Sequence, residues 1–427
     1  MKSFSLVFIL ILISGCSKKH HAVEQEKLDA LSASLHPVAS IDPNDTSFAD
    51  LDFLRSILSG NQIVLLGEQS HGDGAAFLAK ARLIKFLHQK MGYDVLAMES
   101  GLFDCGFAGG EISKGIGADE AFRHSVFDLW TGSRQFQPVI EYLQQTQRTD
   151  RPMILSGFDM QITGAYGRDS LGKKLREYVS NIPHDSSAGS FALRMIDTLA
   201  RSPKRFKNIP DSLRELFFSS LQSLRQDIEH SSSSGKQWWL QVIRSTETLA
   251  RFLWRIDWNK PDPAVFNLRD RQMAENLLWL SRVMYPEKKI IVWAASSHIS
   301  RNRQEIVKRR NADSAMIPMG DHMWRAMGDS IYAVGFTAYQ GKPGMRGRQA
   351  WTLAEPLPGS IEDIVHHSHF NYAWLDFRSL PNRHWLRDTV RARPYGYGTM
   401  LARWTTMMDG MFYIDTMTPS QECENYE

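Results

Sequence analysis

Ile63-Val64-Leu65-Leu66-Gly67-Glu68-Gln69-Ser70-His71-Gly72 is the stretch on which the fold of this chain turns. Its four leading apolar residues read as a buried β-strand, and the polar residues between the two glycines read as a tight loop. A helix follows, since Phe77, Ile84, Leu87 and Met91 recur at helical spacing and Gly92 supplies a stop. Asp94-Val95-Leu96-Ala97-Met98-Glu99 is then a second strand. Two short apolar strands joined by one helix form a βαβ unit, which implies a parallel sheet. The first loop carries a carboxylate and an imidazole three residues apart, Glu68 and His71, a pair suited to proton transfer. The ends of strands in such sheets are where α/β proteins build active sites.

The same pattern continues along the chain. Met153-Ile154-Leu155 leads into Ser156-Gly157-Phe158-Asp159, and Ile290-Ile291-Val292-Trp293-Ala294 leads into Ala295-Ser296-Ser297-His298. Ile331–Phe336 and Tyr372–Leu375 complete the candidate strands. Residues 165–285, between the third and fourth strands, are mostly helical in pattern. Leu213, Leu216, Phe217, Leu221 and Leu224 form one stripe there, and Leu240, Ile243, Leu249, Phe252 and Leu253 form another. The serine run Ser231–Ser234 with Gly235 separates them as a loop. The sequence thus predicts an α/β fold with a mostly parallel central sheet flanked by helices and a large helical insertion. Trp238, Trp239, Trp254 and Trp258 either pack that insertion or together line an apolar pocket.

Polar groups recur at one structural place, the C-terminal end of a strand: Glu68 with His71, then Glu99, Asp159 and His298. In a parallel sheet these ends share an edge, so side chains distant in sequence can converge. A neutral imidazole suits the activation of water, and a neighbouring carboxylate holds its tautomer. Glu99 closes an apolar strand, so its carboxylate must be hydrogen-bonded or functional. An ion pair with Lys80 or Arg82 is the structural alternative, and a capping role is the alternative for Asp159. Arg269 and Arg271 flank Asp270 at the start of a helix, either as surface ion pairs or with Arg269 turned toward the sheet edge. His366, His367 and His369 end a short helix opened by Ser360 and Asp363, which favours dipole compensation over a metal site.

With 427 residues, 43% of them hydrophobic, the chain can bury one large core or two modest ones. A formal net charge of +3 gives no nucleic-acid footprint. There is no Gly-x-Ser-x-Gly elbow, His-Glu-x-x-His helix, phosphate loop or Cys-x-x-Cys pair. The N-terminus reads as an export signal: Lys2, an apolar run from Phe4 to Ile13, then Ser14-Gly15-Cys16. The pattern resembles a bacterial lipobox, which implies a signal peptide over residues 1–16, a lipid on Cys16 and a place on a membrane of the cell envelope. Residues 17–45 then form a polar tether, and residues 46–427 the domain. Cys105 and Cys423 either pair or stay free.

Taken together, these residues resemble the erythromycin esterase family. The family's Gly-Glu-x-x-His and its Glu-terminated strand match Gly67, Glu68, His71 and Glu99. Its Gly-x-Asp matches Gly157-Phe158-Asp159, and its basic helix start matches Arg269-Asp270-Arg271-Gln272-Met273-Ala274. Pro318-Met319-Gly320 and Gly328-Asp329 match later segments, so the likeness runs over roughly residues 50–415. The resemblance implies hydrolysis of a small-molecule ester or macrolide lactone by histidine-activated water, without an obligatory metal or cofactor, and with a role in antibiotic resistance if the substrate is a macrolide. His71 would be the base, Glu68 and Glu99 would orient it or the water, and His298 would assist at the oxyanion or leaving group. Lys80, Asp159 and Arg269 carry over as substrate-binding positions. Some relatives are labelled succinoglycan biosynthesis proteins, so the resemblance does not fix the substrate.

The chain departs from the family pattern where His-Asn-x-His is expected. Ala295 and Ser296 stand at its first two positions, and only His298 is kept. Lys80 stands where the family usually has arginine, and lysine cannot make bidentate contacts. A ligand-binding lipoprotein without the chemistry, and a metal-dependent hydrolase built on Glu68, His71, Glu99 and His298, are the rival expectations.

Overall fold

Alternation within the strands sets the layers. In the computed structural model, which describes residues 25–182, 186–307 and 315–423, Val64 and Leu66 join one core while Ile63 and Leu65 join the other. Leu96 and Met98 alternate in the same way with Val95 and Ala97. All eight residues are fully buried, as strands covered by helices on both faces must be.

The strands in chain order are β1 (Leu35–Val38), β2 (Ile63–Leu66), β3 (Tyr93–Gly101), β4 (Ile154–Asp159) and β5 (Lys289–Trp293). They continue as β6 (Ile331–Gly341), β7 (Tyr372–Asp376), β8 (Val390–Ala392), β9 (Met400–Ala402) and β10 (Gly410–Met417). One sheet has the order β1-β7-β10-β6-β2-β5-β3-β4, and β8 pairs only with β9. The run from β10 to β4 is parallel throughout, while β7 is antiparallel to both β10 and β1. The fold is therefore mixed α/β with a mostly parallel central sheet.

The principal helices are α1 (Gly74–Met91), α2 (Leu102–Ser113), α3 (Ala165–Val179), α4 (Ser186–Arg201), α5 (Asp211–His230), α6 (Lys236–Arg255) and α7 (Pro263–Trp279). Helix α1 ends on Gly92, which takes the left-handed conformation (φ 78°) that terminates a helix at no steric cost. Helices α3 to α7 fill the interval between β4 and β5. Within them Trp254 stacks on Phe206 and packs against Phe217 and Phe218. Trp238 and Trp239 line an apolar groove of about 300 Å³ with Phe103 and Phe107 of α2. Trp258 is 70% exposed, so the four tryptophans do not share one pocket.

The N-terminal segment departs from expectation. Residues 17–45 read as a tether, yet Leu35–Val38 forms the edge of the sheet through antiparallel pairing with β7. Leu31, Leu35, Val38 and Ile41 are all buried. These four residues recur three or four apart, a helical spacing and not the alternation of a strand, which is why the strand was not legible. Arg82 of α1 fastens this segment through hydrogen bonds to Asp50 at 2.7 and 2.8 Å and to the Ser40 carbonyl at 2.8 Å. Cys16 and the signal-like stretch lie outside the described residues. Among the described residues, no helix is long and apolar enough to cross a membrane. Cys105 and Cys423 are both free thiols.

Candidate active site

Sheet order dictates which loops meet. Strands β2, β5, β3 and β4 are consecutive neighbours and parallel. Their C-terminal ends carry, in that order, Glu68 with His71, Ala295 with His298, Glu99 and Asp159. The loops after β2 and β5 are tied by the Ser296 N–H, which donates to the Glu68 carbonyl at 2.8 Å. Gly67 is required at this crossing, because a Cβ there would lie 2.5 Å from Ser296 Oγ and 3.0 Å from the Val334 carbonyl.

Two ion clusters occupy this edge. In the first, Glu68 has no exposed side-chain surface. Its Oε1 accepts from His71 Nδ1 at 2.7 Å and from Trp130 Nε1 at 3.0 Å. Its Oε2 accepts from Lys80 Nζ at 2.7 Å. The Lys80 ammonium also lies 4.1 Å from the centre of the Trp293 ring, a cation–π contact in a closed space. Burial pushes the Lys80 amine below its ordinary value against the charge of Glu68. Lys80 is fully buried and meets Glu68, not the open edge where a substrate would lie.

His71 is the exposed end of this cluster, with 32% of its side chain open to solvent. Donation from Nδ1 to Glu68 assigns the proton to Nδ1 and turns the Nε2 lone pair outward. Burial would lower the imidazole pKa, but the hydrogen bond and charge of Glu68, with the charge of Glu99, raise it above 6.5. The like charge of His298 acts against this rise, so the two clusters lie within electrostatic range of each other.

The second cluster centres on Arg269. This residue shares a face of α7 with Met273 and Asn276, both buried, and Asn276 anchors the helix by donating to the Phe158 carbonyl at 2.9 Å. Arg269 Nη2 donates to Asp159 Oδ2 at 2.7 Å and to Glu99 Oε1 at 3.0 Å. His298 Nδ1 lies 2.7 Å from Asp270 Oδ1, and its Nε2 lies 3.3 Å from Glu99 Oε1. Burial opposes charge on His298, but Asp270 and Glu99 lift its pKa to about 10, so it is an imidazolium at neutral pH. Burial likewise opposes charge on Glu99, and His298, Arg269 and His71 hold its carboxyl well below the usual range. Two cations thus stand among three carboxylates. The second oxygen of Glu99 accepts the Ala295 N–H at 2.8 Å.

The candidate catalytic and substrate-binding residues His71, Glu68, Lys80, Glu99, Asp159, Arg269 and His298 therefore each lie in one or other cluster, whereas Arg271 pairs with Glu275 and His366 with Asp415 away from them. The expected alternative partners of Glu99 separate, Lys80 to Glu68 and Arg82 to Asp45 and Asp50. Asp159 pairs with Arg269 through Oδ2 and also accepts the Gln161 N–H at 3.2 Å through Oδ1. Asp270 and Trp130 were missed. Asp270 sits in Arg-Asp-Arg and reads as surface charge; Trp130 follows no motif. Both oxygens of Glu68 and of Glu99 accept from protein donors. Among the described residues, no group of three His, Cys, Asp or Glu is arranged to hold a metal ion.

Known proteins resemble this chain in sequence and in fold. A family model described as erythromycin esterase matches residues 88–417. The chain is 25% identical to "Putative hydrolase YbfO" of Bacillus subtilis (strain 168), with 97% of each chain covered. It is 23% identical to "Erythromycin esterase type II" of Escherichia coli, covering 88% of this chain and 94% of that one. A crystal structure titled as a succinoglycan biosynthesis protein superposes with a TM-score of 0.77 at 17% identity, covering 93% of this chain and 98% of that one.

Proposed function

This chain belongs to the erythromycin esterase family, and on that premise we propose that it hydrolyses an ester or a macrolide lactone with water activated by His71. The observation that carries the reading is the 2.7 Å contact of His71 Nδ1 with buried Glu68, which leaves Nε2 as a base on a partly open ring. Water attacks the carbonyl carbon and gives its proton to His71 Nε2. The tetrahedral oxyanion is stabilised by the cationic pair His298 and Arg269. Collapse breaks the C–O bond, and the proton held on Nε2 passes to the leaving alkoxide. The products are a carboxylic acid and an alcohol, together one water heavier than the substrate. Glu68 holds the tautomer of His71, and Glu99 holds His298 and Arg269 in place. His298 is charged at neutral pH, so it suits the oxyanion and not the role of base.

The test is a hydrolysis screen over aryl esters and macrolides, read by mass spectrometry for the gain of water, with wild type beside His71→Ala. We expect product with wild type and none with the variant at unchanged melting temperature. Equal turnover by the variant overturns the reading. Ala295, where the resemblance calls for histidine, favours a second reading as a binding protein on the same fold. That reading is upheld by a thermal shift with a macrolide that yields no product. The stretch from Lys2 to Cys16 supports a further part of the proposal, a lipid on Cys16 and a place on the cell envelope. Cys16→Ser should then move the protein from the membrane fraction to the soluble one.

A further inference from the structure

The turn that carries His71 is clamped by segments far away in sequence. The Gly72 carbonyl accepts from Ser420 N–H at 2.8 Å, and Gly74 N–H donates to the Thr418 carbonyl at 2.8 Å. Gly396 N–H donates to the Gln69 carbonyl at 2.9 Å, and Gln69 Nε2 donates to the Arg393 carbonyl at 2.8 Å.

Asp73 makes a further tie, and it does so in an unexpected way. It occupies the N-cap position of α1, yet its side chain makes no cap bond to the helix. An N-cap aspartate ordinarily gives its carboxylate to the free N–H groups of the first turn. Here the carboxylate turns back into the loop. Oδ2 accepts the Ser70 N–H at 2.9 Å, and Oδ1 accepts the Tyr397 hydroxyl at 2.8 Å. Asp73 has no exposed surface. Tyr397 itself sits in the left-handed region (φ 64°), directly after Gly396 (φ 58°). A bulky residue is strained there and stays only where its surroundings demand it.

We propose that Asp73 is a positioning residue for His71: it fixes the Ser70–His71 turn so that Nδ1 meets Glu68, and Tyr397 is the latch that holds Asp73 in that posture. The kinetic consequence rests on the reading of His71 as the base; the structural consequence does not. The charged groups that face Asp73 are Glu68, His71 and Lys80, with the Tyr397 hydroxyl and the Ser70 N–H as its hydrogen-bond donors. Burial and Glu68 push its carboxyl up to about 7, against the hydrogen bonds from Tyr397 and Ser70 and the charge of His71.

The experiment is an NMR titration of His71 in the full chain, labelled on histidine, with His71→Ala used for assignment. Wild type is compared with Asp73→Ala, Asp73→Asn and Tyr397→Phe. Asparagine can still accept from Ser70 N–H and can donate to the Tyr397 oxygen, so Asp73→Asn should lower the His71 midpoint only by the loss of the carboxylate's charge, and by less than Asp73→Ala does. Asp73→Ala and Tyr397→Phe should both lower the His71 midpoint toward 6.5. A pure charge effect gives the opposite pattern, with the two Asp73 variants shifted equally and Tyr397→Phe unshifted, and would overturn the proposal. So would four identical titrations. If Asp73→Ala does not fold, Asp73→Asn and Tyr397→Phe decide between the two patterns. On an ester that wild type hydrolyses, Asp73→Ala should lose about 10²-fold in kcat with KM unchanged, the size expected for a reacting group misplaced by about 1 Å. If wild type hydrolyses no ester, the proposed reaction fails while the titration still decides the role of Asp73.

Discussion

Glu68 spends both carboxylate oxygens on neighbours, and each partner answers a different need. His71 and Trp130 share one oxygen, which fixes the imidazole; Lys80 neutralises the other in a closed space. Arginine in place of Lys80 would need room for a planar guanidinium beside Trp293, and the ammonium 4.1 Å from that ring leaves a compact point charge instead. Lys80→Met should therefore leave a buried carboxylate without its cation and cost about 3–5 kcal/mol of stability, measured by urea unfolding. A loss below about 1 kcal/mol would show that Trp130 and His71 suffice to hold Glu68. His298 makes a pH-dependent contribution. Its pKa is 6.5 in the unfolded chain and about 10 in the folded one, so folding binds a proton between those values. The stabilisation is complete below pH 6.5 and is lost as pH rises through about 10. Unfolding midpoints of wild type should fall over that window more steeply than those of His298→Gln. Parallel curves would show that the Asp270 contact does not hold the charge.

At the scale of elements, the strands that build the site were legible and the strand that opens the sheet was not. Strands β2 to β5 are short apolar runs with punctuated ends, the signal that periodicity detects. Strand β1 is an edge strand in a polar stretch, and its burial depends on β7 and on Arg82, some 40 residues away in α1. Such contacts leave no local trace. They carry a clear expectation, because Arg82 donates from α1 to Asp50, Ser40 and Ser47 at once. Arg82→Ala should destabilise the chain by about 3 kcal/mol and speed hydrogen exchange at Leu35–Val38 before it does so at Ile63–Leu66. Equal exchange in the two strands would mean that β1 is not held through Arg82.

At the scale of the molecule, a single sheet edge gathers a base on a buried carboxylate and a pair of cations among carboxylates. Much of this was legible, because Glu68, His71, Glu99, Asp159 and His298 each end a recognisable strand. The partners that tune them were not. Asp270, Trp130, Asp73 and Tyr397 lie on helices and loops whose approach is set by packing; only Asp270 stands in a motif, the basic helix start, and there it reads as surface charge. The division of labour between the two histidines was equally hidden in sequence. It follows from one ring facing a single carboxylate and the other facing two. The central claim is that His71, held by Glu68, is the base. The most direct test is the pH dependence of kcat/KM on any ester that the chain hydrolyses. A base must be neutral, and the His71 pKa is raised above 6.5; we expect the rate to fall on acidification through a pKa above 6.5, with that limb abolished in Glu68→Gln or shifted to lower pH. An acid limb at or below 6.5, unchanged in Glu68→Gln, would contradict the account.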